Sequence, residues 1–234
     1  MKNLDVRSYF SGVGGLDAGF EMEGFSIRES IEIDNYACEV ARLNFSHKIS
    51  QRDITQITIE EQNLRDCDLA LGTFPCNRYS AISSIHGCMT GDDLFLHFFR
   101  HIALARPEMY IVENVPSMRA FPVVMEALSK VPDYYCHIYC PLDTANWLPQ
   151  RRQRLILIGA KRKFDFREPT QKRLKTLSDI LEPDGAEKVL YAPSMEARLN
   201  GKYRDRPIIT DPSDPLAIAP TAVAHYSKDR STRM

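Results

Sequence analysis

Long apolar runs are missing from this 234-residue chain, and no stretch of 18 apolar residues occurs in it. That absence argues against a membrane-spanning helix. The first ten residues also lack the apolar core of a secretory signal, so we expect an intracellular, cytoplasmic protein. Six cysteines in a chain of this length do not make a disulfide scaffold, and reduced thiols are the default in a cytosol. Internal repeats and low-complexity tracts are absent as well. What remains is a globular protein of one large domain, or one domain with an appendage.

The net charge of −1 conceals two parts of opposite charge. Residues 1–150 carry 12 Lys or Arg against 20 Asp or Glu, whereas residues 151–234 carry 18 against 11. This asymmetry favours small-molecule chemistry in the first part and contact with a polyanion in the second, with solvated surface charge as the alternative. Seven of the 14 prolines fall within residues 169–220, where helical and strand periodicity fades. We therefore expect one domain over residues 1–163 and a small loop-rich region over residues 164–234.

Apolar periodicity over the first 160 residues predicts strands that alternate with helices. Strands are expected at residues 6–10, 26–33, 48–53, 69–71 and 109–112, and helices from residue 16 and at residues 35–45, 58–65, 92–105 and 121–130. The second helix is amphipathic, is bracketed by Tyr36, Val40, Leu43 and Asn44, and has Asn35 as its expected cap. The alternation predicts an α/β fold with a doubly wound, mainly parallel sheet. Two later strands, at residues 134–139 and 155–160, lack a helix between them and indicate an antiparallel addition at one edge.

A glycine-rich turn follows the first strand. Gly12, Gly14 and Gly15 allow the backbone to approach a ligand closely, although the spacing is not the full G-x-G-x-x-G pattern. Glu32 ends the second predicted strand, 20 residues after Gly12. A carboxylate at that distance suits a clamp on ribose hydroxyls. A surface carboxylate is the alternative.

The stretch ALGTFPCNRYS, residues 70–80, presents a cysteine just past a buried strand. Pro75 stiffens the turn that carries Cys76, whose thiolate would be a strong nucleophile; a buried, inert thiol is the alternative. Glu113 and the pair Arg152 and Arg154 lie at the ends of other predicted strands. A carboxylic acid can protonate a ring nitrogen, and a guanidinium can hold a carbonyl oxygen. The alternatives are a helix-capping Glu and a solvated basic run. Together the three groups fit attack on a polarised heterocycle.

Metal binding is not expected. Cys136 and Cys140 flank His137, but the surrounding strand of alternating aromatic residues favours a structural role for all three. No partner pattern surrounds His86 or His101, which we expect to be packed or solvated.

The ordered motifs FSGVGG, the acid Glu32, RDI, FPCN, ENV and QRRQR resemble the cytosine-5 DNA methyltransferase family over roughly residues 6–160, with weaker similarity over residues 206–232. The resemblance implies a Rossmann-like fold and transfer of a methyl group from S-adenosylmethionine to carbon 5 of cytosine in double-stranded DNA. The transfer would pass through a covalent bond between Cys76 and carbon 6 of a flipped base, and S-adenosylhomocysteine would be the product. A restriction-modification or phage origin and association with the nucleoid follow from the same resemblance. The alternatives are an RNA (tRNA) cytosine-5 methyltransferase and a truncated, non-catalytic DNA-binding relative.

Residue by residue, the resemblance implies that Glu32 holds the ribose hydroxyls and Asp53 the adenine amino group. Glu113 would bond to ring N3 and the exocyclic amine, Arg154 would hold the base oxygen, and Arg152 would lie beside the cysteine loop. The residues that it places around S-adenosylmethionine are Phe10, Ser11, Gly12, Val13, Gly14, Gly15, Glu32, Ile33, Asp53, Ile54 and Pro75. The basic region over residues 164–234 would be part of a target-recognition region and would bind phosphates.

The chain departs from the family pattern at several positions. Asn77 stands where the family usually has Gln, Arg52 where it has Gly, and Tyr79 where Phe is common. The family also closes with an Asn-containing segment that packs on the first strand, and this segment has no counterpart here. We therefore expect the chain to be truncated and to require a further C-terminal segment or a second polypeptide as partner.

Overall fold

The computed structural model describes residues 4–58, 67–75, 94–170, 175–181 and 213–221. The chain divides into two compact units, one formed by Met1–Pro141 with Arg154–Arg167 and the other by Leu142–Gln153 with Glu168–Met234. Among the described residues, no helix has both the length and the apolar character needed to cross a membrane.

The first unit begins with strands and helices in alternation. Its early elements are β1 (Asp5–Tyr9), α1 (Gly15–Met22), β2 (Ser26–Glu32), α2 (Asn35–Asn44), β3 (Lys48–Gln51) and β4 (Leu69–Gly72). Then follow α3 (Leu94–Ala105), β5 (Met109–Asn114), α4 (Pro122–Ser129), β6 (Tyr135–Asp143) and β7 (Gln153–Ala160). The expected order of strands and helices is confirmed throughout the described residues. The predicted helix at residues 58–65 lies almost entirely outside them.

The seven strands form a single sheet in the order β3-β2-β1-β4-β5-β7-β6. The first five strands run parallel, with Val6 opposite both Ile27 and Leu69 and with Leu69 opposite Met109. β7 is antiparallel to β5 and pairs Asn114 with Leu155. The expected antiparallel addition is therefore confirmed. The chain runs outward in opposite directions from β1 and β4, so the loops after these two strands diverge and leave a crevice at the carboxyl end of the sheet.

Apolar side chains cover both faces of the sheet. Leu69 and Leu71 of β4 belong to one cluster, against which Leu16 and Phe20 of α1 pack, whereas Ala70 between them belongs to the other. The larger cluster holds the buried side chains of α3 and α4, among them Phe98, Ile102 and Leu128. Because successive strand residues face opposite sides, this division shows helices on both faces. The predicted doubly wound α/β fold is confirmed.

Helix α2 corrects the expected cap. Its N-cap is Asp34, whose side chain accepts a hydrogen bond from the Ala37 amide at 2.8 Å, and Asn35 instead donates to Glu39 inside the helix. The buried residues of α2 are the small Cys38 and Ala41, whereas its large apolar side chains are exposed: Tyr36, Val40 and Leu43. Small side chains bring the helix close to the sheet, and this proximity leaves the larger ones on the outer side.

Two strand ends differ from the sequence-based boundaries. Glu113 lies within β5 rather than after it, because the antiparallel pairing with β7 extends this strand to Asn114. Asp53 lies beyond β3 and caps a short 3-10 turn, Ile54–Gln56, by accepting from the Thr55 amide. The proposed boundary near residue 163 remains a prediction.

Candidate active site

A pocket opens at the carboxyl ends of β1 to β4. The space within it, including its open mouth, is about 540 Å³. Its lining residues are Phe10, Ile31, Glu32, Ile33, Arg52, Asp53, Ile54, Thr73, Pro75 and Leu94. Six of them were predicted as cofactor-binding residues from the sequence, and they come from four separate loops of the chain.

Four lining residues, Ile31, Arg52, Thr73 and Leu94, were not predicted as binding residues. Thr73 donates its hydroxyl hydrogen to the Phe10 carbonyl at 2.7 Å, which joins the loop after β4 to the loop after β1. Leu94 begins the described part of α3. Such contacts depend on which loops are neighbours in space, so no local pattern in the sequence indicates them.

The glycine-rich loop has an unusual backbone. Phe10, Gly12 and Gly14 all have positive φ, of 59°, 57° and 88° respectively. A positive φ is strained for a bulky residue such as Phe10, and strain of this kind concentrates at ligand sites. The Gly14 amide donates to the Ser11 carbonyl at 3.0 Å, which closes a tight turn directly before α1.

Gly14 must also be small because of its neighbour. A Cβ atom built on Gly14 would lie 2.3 Å from the ring of Phe45, far inside contact distance. Helix α1 is fixed further by Asp17, a fully buried residue whose carboxylate accepts from the Ser30 hydroxyl of β2 at 2.6 Å. The loop is therefore anchored at the start of α1.

The carboxylate of Glu32 joins this loop to the end of β2. One oxygen accepts from the Gly12 amide at 2.8 Å, and the other accepts from the amides of Ile33 and Asp34 at 2.8 and 2.9 Å. The Glu32 carbonyl accepts from the Arg52 amide at 2.8 Å, which ties in the segment after β3. Glu32 thus connects three walls of the pocket.

Five predicted binding residues lie in the glycine-rich loop without lining the pocket: Ser11, Gly12, Val13, Gly14 and Gly15. The Ser11 hydroxyl is buried and has no hydrogen-bond partner among the described residues. A buried polar group without a partner is costly, and a ligand is one of the groups that can satisfy it. The unpaired Ser11 hydroxyl therefore favours a polar ligand group beside this loop.

A second group of polar residues forms where β5 meets β7. The Nε atom of Arg154 lies 2.6 Å from a carboxylate oxygen of Glu113, and both side chains are partly accessible to solvent. The antiparallel register places Leu155, the residue after Arg154, opposite Asn114. Two of the predicted catalytic residues are therefore in direct contact.

Asn114 is a site residue that the sequence reasoning passed over. It is buried, and its amide nitrogen donates to the Phe74 carbonyl at 3.1 Å. That contact fixes the chain just before Pro75 and Cys76. The signal was available, because Asn114 is the middle residue of the ENV motif.

Two predicted catalytic residues are not tested by these contacts. Cys76 lies outside the described residues, as do Asn77 and Tyr79. Arg152 belongs to the second unit, where its side chain is exposed and its carbonyl accepts from the Thr144 amide at 3.1 Å. The roles assigned to all four catalytic residues remain predictions. Within the described parts of the chain, no cluster of three or more His, Cys, Asp or Glu side chains is arranged to hold a metal ion.

Comparison with known proteins identifies the family. A sequence model of the C-5 cytosine-specific DNA methylases matches residues 4–209. The chain belongs to this family. Type II methyltransferase M.NgoFVII of Neisseria gonorrhoeae is 30% identical to this chain in an alignment of 187 residues that covers 76% of the chain and 50% of the relative. Type II methyltransferase M.AquIA of Picosynechococcus is 32% identical in an alignment of 189 residues that covers 70% of the chain and 75% of the relative.

A solved structure supports the fold of this chain. The methyltransferase EhMeth of Entamoeba histolytica superposes on the whole chain with a TM-score of 0.75 at 19% identity, and the match covers 75% of that protein. The chain spans about half the length of the Neisseria relative. The six ordered motifs that suggested the family therefore led to the correct assignment.

Proposed function

We propose that this chain transfers a methyl group from S-adenosylmethionine to carbon 5 of cytosine in DNA. The observation that carries the proposal is the convergence of Phe10, Glu32, Asp53 and Pro75 on one pocket, with Cys76 following Pro75 directly in the sequence. A methyl-donor pocket and a nucleophile must be adjacent for this chemistry, and this order of residues supplies both.

The pocket suits the nucleoside half of the methyl donor. Glu32 is held by three backbone amides, which leaves about one acceptor position, on Oε2, for a ribose hydroxyl. Asp53 is fixed at the start of its turn, where it can accept from the adenine amino group, and Ile54 adds an apolar surface. The buried Ser11 hydroxyl remains for a polar group at the other end of the ligand. The bound donor supplies an electrophilic methyl group on a positively charged sulfur.

The catalytic steps are assigned to the chain's own residues. The Cys76 thiolate bonds to carbon 6 of the cytosine, and the ring electrons move to carbon 5, which takes the methyl group. Glu113 supports this attack by bonding to ring N3 and to the exocyclic amine of the base. Loss of the carbon-5 proton then restores the double bond and expels the cysteine sulfur. Arg154 holds the carboxyl of Glu113 in place at 2.6 Å and offers its other donors to the base oxygen. Arg152 is assigned to the side of the cysteine loop.

The substrate is double-stranded DNA, from which the target base must be extruded at a cost of a few kcal/mol. The excess of Lys and Arg in residues 151–234 supports phosphate contacts by that part of the chain. Action on DNA would place the enzyme at the nucleoid in the cytoplasm. Family membership and the Type II methyltransferase relatives support a role in restriction-modification.

A further segment, in the same chain or on a second polypeptide, is proposed to complete the site. Val13 in the glycine-rich loop and Ile33 at the pocket are both more than half exposed, as are Tyr36 and Leu43 of α2. Apolar side chains of this size near a ligand site favour a covering partner. Supplying the corresponding segment of a longer relative should raise both the Tm and the affinity for S-adenosylhomocysteine by mass action. If neither quantity rose, the proposed partner would be wrong.

The test of the function is transfer of a labelled methyl group to double-stranded DNA, single-stranded DNA and tRNA. Cys76→Ser should abolish transfer and leave the affinity for S-adenosylhomocysteine nearly unchanged, because a hydroxyl is a far poorer nucleophile of similar size. DNA containing 5-fluorocytosine should trap an adduct with the native chain, since fluorine does not leave as a proton does. If only tRNA were methylated, the substrate would be RNA and not DNA. An adduct that persisted in Cys76→Ser would remove Cys76 from its role.

A further inference from the structure

A buried group of polar side chains behind the pocket takes no part in the proposed chemistry. Arg100 of α3 donates from Nη2 to the carbonyls of Ile54 and Ile57, at 3.2 and 2.8 Å. These carbonyls belong to the 3-10 turn that Asp53 caps and to the residue just beyond it. The Ile54 carbonyl also accepts from the Ile57 amide at 3.3 Å, whereas Ile57 lies just beyond the turn. Arg100 therefore ties both ends of the turn to α3.

His101 connects the same guanidinium to β1. Its ring is almost fully buried, and burial together with the neighbouring Arg100 charge lowers the pKa of His101 to about 4. The imidazole is therefore neutral near pH 7. Its Nε2 lies 3.1 Å from Arg100 Nη2, and its Nδ1 lies 3.3 Å from the Tyr9 hydroxyl oxygen.

The two ends of this chain of contacts support opposite walls of the pocket. Tyr9 directly precedes Phe10, whose strained backbone opens the glycine-rich loop. At the other end, the turn presents Asp53 and Ile54. Arg100 itself does not line the pocket, so any effect it has on a ligand passes through the residues it holds.

We propose that Arg100 is a positioning residue, which fixes the turn carrying Asp53 and Ile54 for the nucleoside end of the methyl donor. This inference rests on the proposed function. A guanidinium suits the position because it presents several donors in a rigid plane. A lysine ammonium carries the same charge as a point on a flexible stem and does not reproduce this geometry.

The experiment compares Arg100→Lys with Arg106→Lys by calorimetric titration with S-adenosylhomocysteine. Arg106 follows α3 directly and has matched contacts, since it donates to the Pro132 carbonyl at 3.0 Å and pairs with Asp133 at 2.7 Å. It contacts no residue of the pocket in these interactions. Arg100→Lys should weaken binding about tenfold, equivalent to one charge-assisted hydrogen bond, whereas Arg106→Lys should leave binding unchanged at a similar loss of Tm. Equal affinities of the two variants would overturn the inference.

A double-mutant cycle with Asp53→Asn separates positioning from a general loss of structure. If Arg100 acts through the turn, Arg100→Lys should weaken binding much less in the Asp53→Asn background than in the native one. Hydrogen exchange of the Gln56 amide, which donates to the Asp53 carbonyl, should quicken in Arg100→Lys and stay unchanged in Arg106→Lys. Should Arg100→Lys fail to fold, Arg100→Gln replaces it in the same cycle.

Full additivity in the cycle would overturn the positioning role. Absence of binding by the native chain even with the completing segment supplied would overturn the proposed function and the inference together. Native binding that Arg100→Lys left intact would overturn the inference alone.

Discussion

At the scale of single residues, Glu32 combines a structural role with a proposed ligand contact. Its carboxylate accepts three backbone amides, and its carbonyl accepts a fourth. Since the amides come from the glycine-rich loop, the end of β2 and the segment after β3, the geometry proposed to receive the ribose depends on the same side chain that is proposed to bind it.

Replacement of Glu32 by Gln should weaken binding of S-adenosylhomocysteine by about one to two decades, because charge-assisted hydrogen bonds are replaced by neutral ones and one acceptor oxygen is lost. Calorimetric titration measures the change. The matched control is Glu39→Gln, an exposed glutamate on α2 that accepts only from Asn35 in the described contacts, and it should bind as the native chain does. If the native chain, Glu32→Gln and Glu39→Gln all bound with equal affinity, Glu32 would be a surface carboxylate without a role in binding.

His101 should make the stability of the protein fall in mild acid. Burial lowers its pKa from 6.5 to about 4, so between these values the unfolded chain takes up a proton that the folded chain does not. The stabilisation that comes from the neutral His101 is fully present above pH 6.5. As the pH falls towards 4, the free energy of unfolding decreases by up to about 3 kcal/mol. Urea unfolding at pH 7 and pH 4.5 should show a smaller loss for His101→Gln than for the native chain. Identical pH dependence would exclude this coupling.

At the scale of elements, the backbone and packing where the glycine-rich loop meets α1 determine the shape of the site. Gly14 is both the left-handed residue before the helix and the point of closest approach to Phe45. Gly19, inside the same helix, has helical backbone and open space around it.

Gly14→Ala and Gly19→Ala should therefore have opposite effects. The first adds a Cβ where both backbone and ring oppose it and should destabilise the protein by roughly 1–3 kcal/mol, with weaker ligand binding. The second should stabilise it by about 0.4–1 kcal/mol, because alanine restricts the unfolded chain. Urea unfolding of both variants provides the measurement. Similar free energies of unfolding for the two variants would contradict the described loop.

Helix α2 shows that an apolar pattern alone does not tell which side chains of a helix are buried. The pattern correctly indicated a helix, yet Tyr36 and Leu43 are exposed while Cys38 and Ala41 are buried. Periodicity gives the spacing of side chains around a helix. The burial of each side chain also depends on the distance between the helix and the sheet, and the sequence of the helix does not give that distance.

At the scale of the whole molecule, the charge asymmetry between residues 1–150 and 151–234 should govern DNA binding. Each neutralised phosphate contributes a slope of about −0.9 to a plot of log affinity against log salt concentration. We expect a steep fall in affinity between dilute and physiological salt, measured by fluorescence anisotropy with a labelled duplex. Binding of S-adenosylhomocysteine should change little over the same range. If the affinity for the duplex did not change with salt concentration, the positive charges would be solvated surface charges that do not contact phosphates.

By itself, the sequence determined the order of strands and helices and the glycine-rich turn. Those features are local, since they depend on apolar period and backbone freedom. The expected binding residues that line the pocket, Phe10, Glu32, Ile33, Asp53, Ile54 and Pro75, came from the ordered motifs that resemble the family. The tertiary structure alone decided that Glu113 touches Arg154, that Thr73 and Leu94 complete the pocket, and that Arg100 holds the turn of Asp53. Such contacts join residues far apart along the chain. They arise from strand order, register and packing depth, which are properties of the assembled sheet rather than of any one segment.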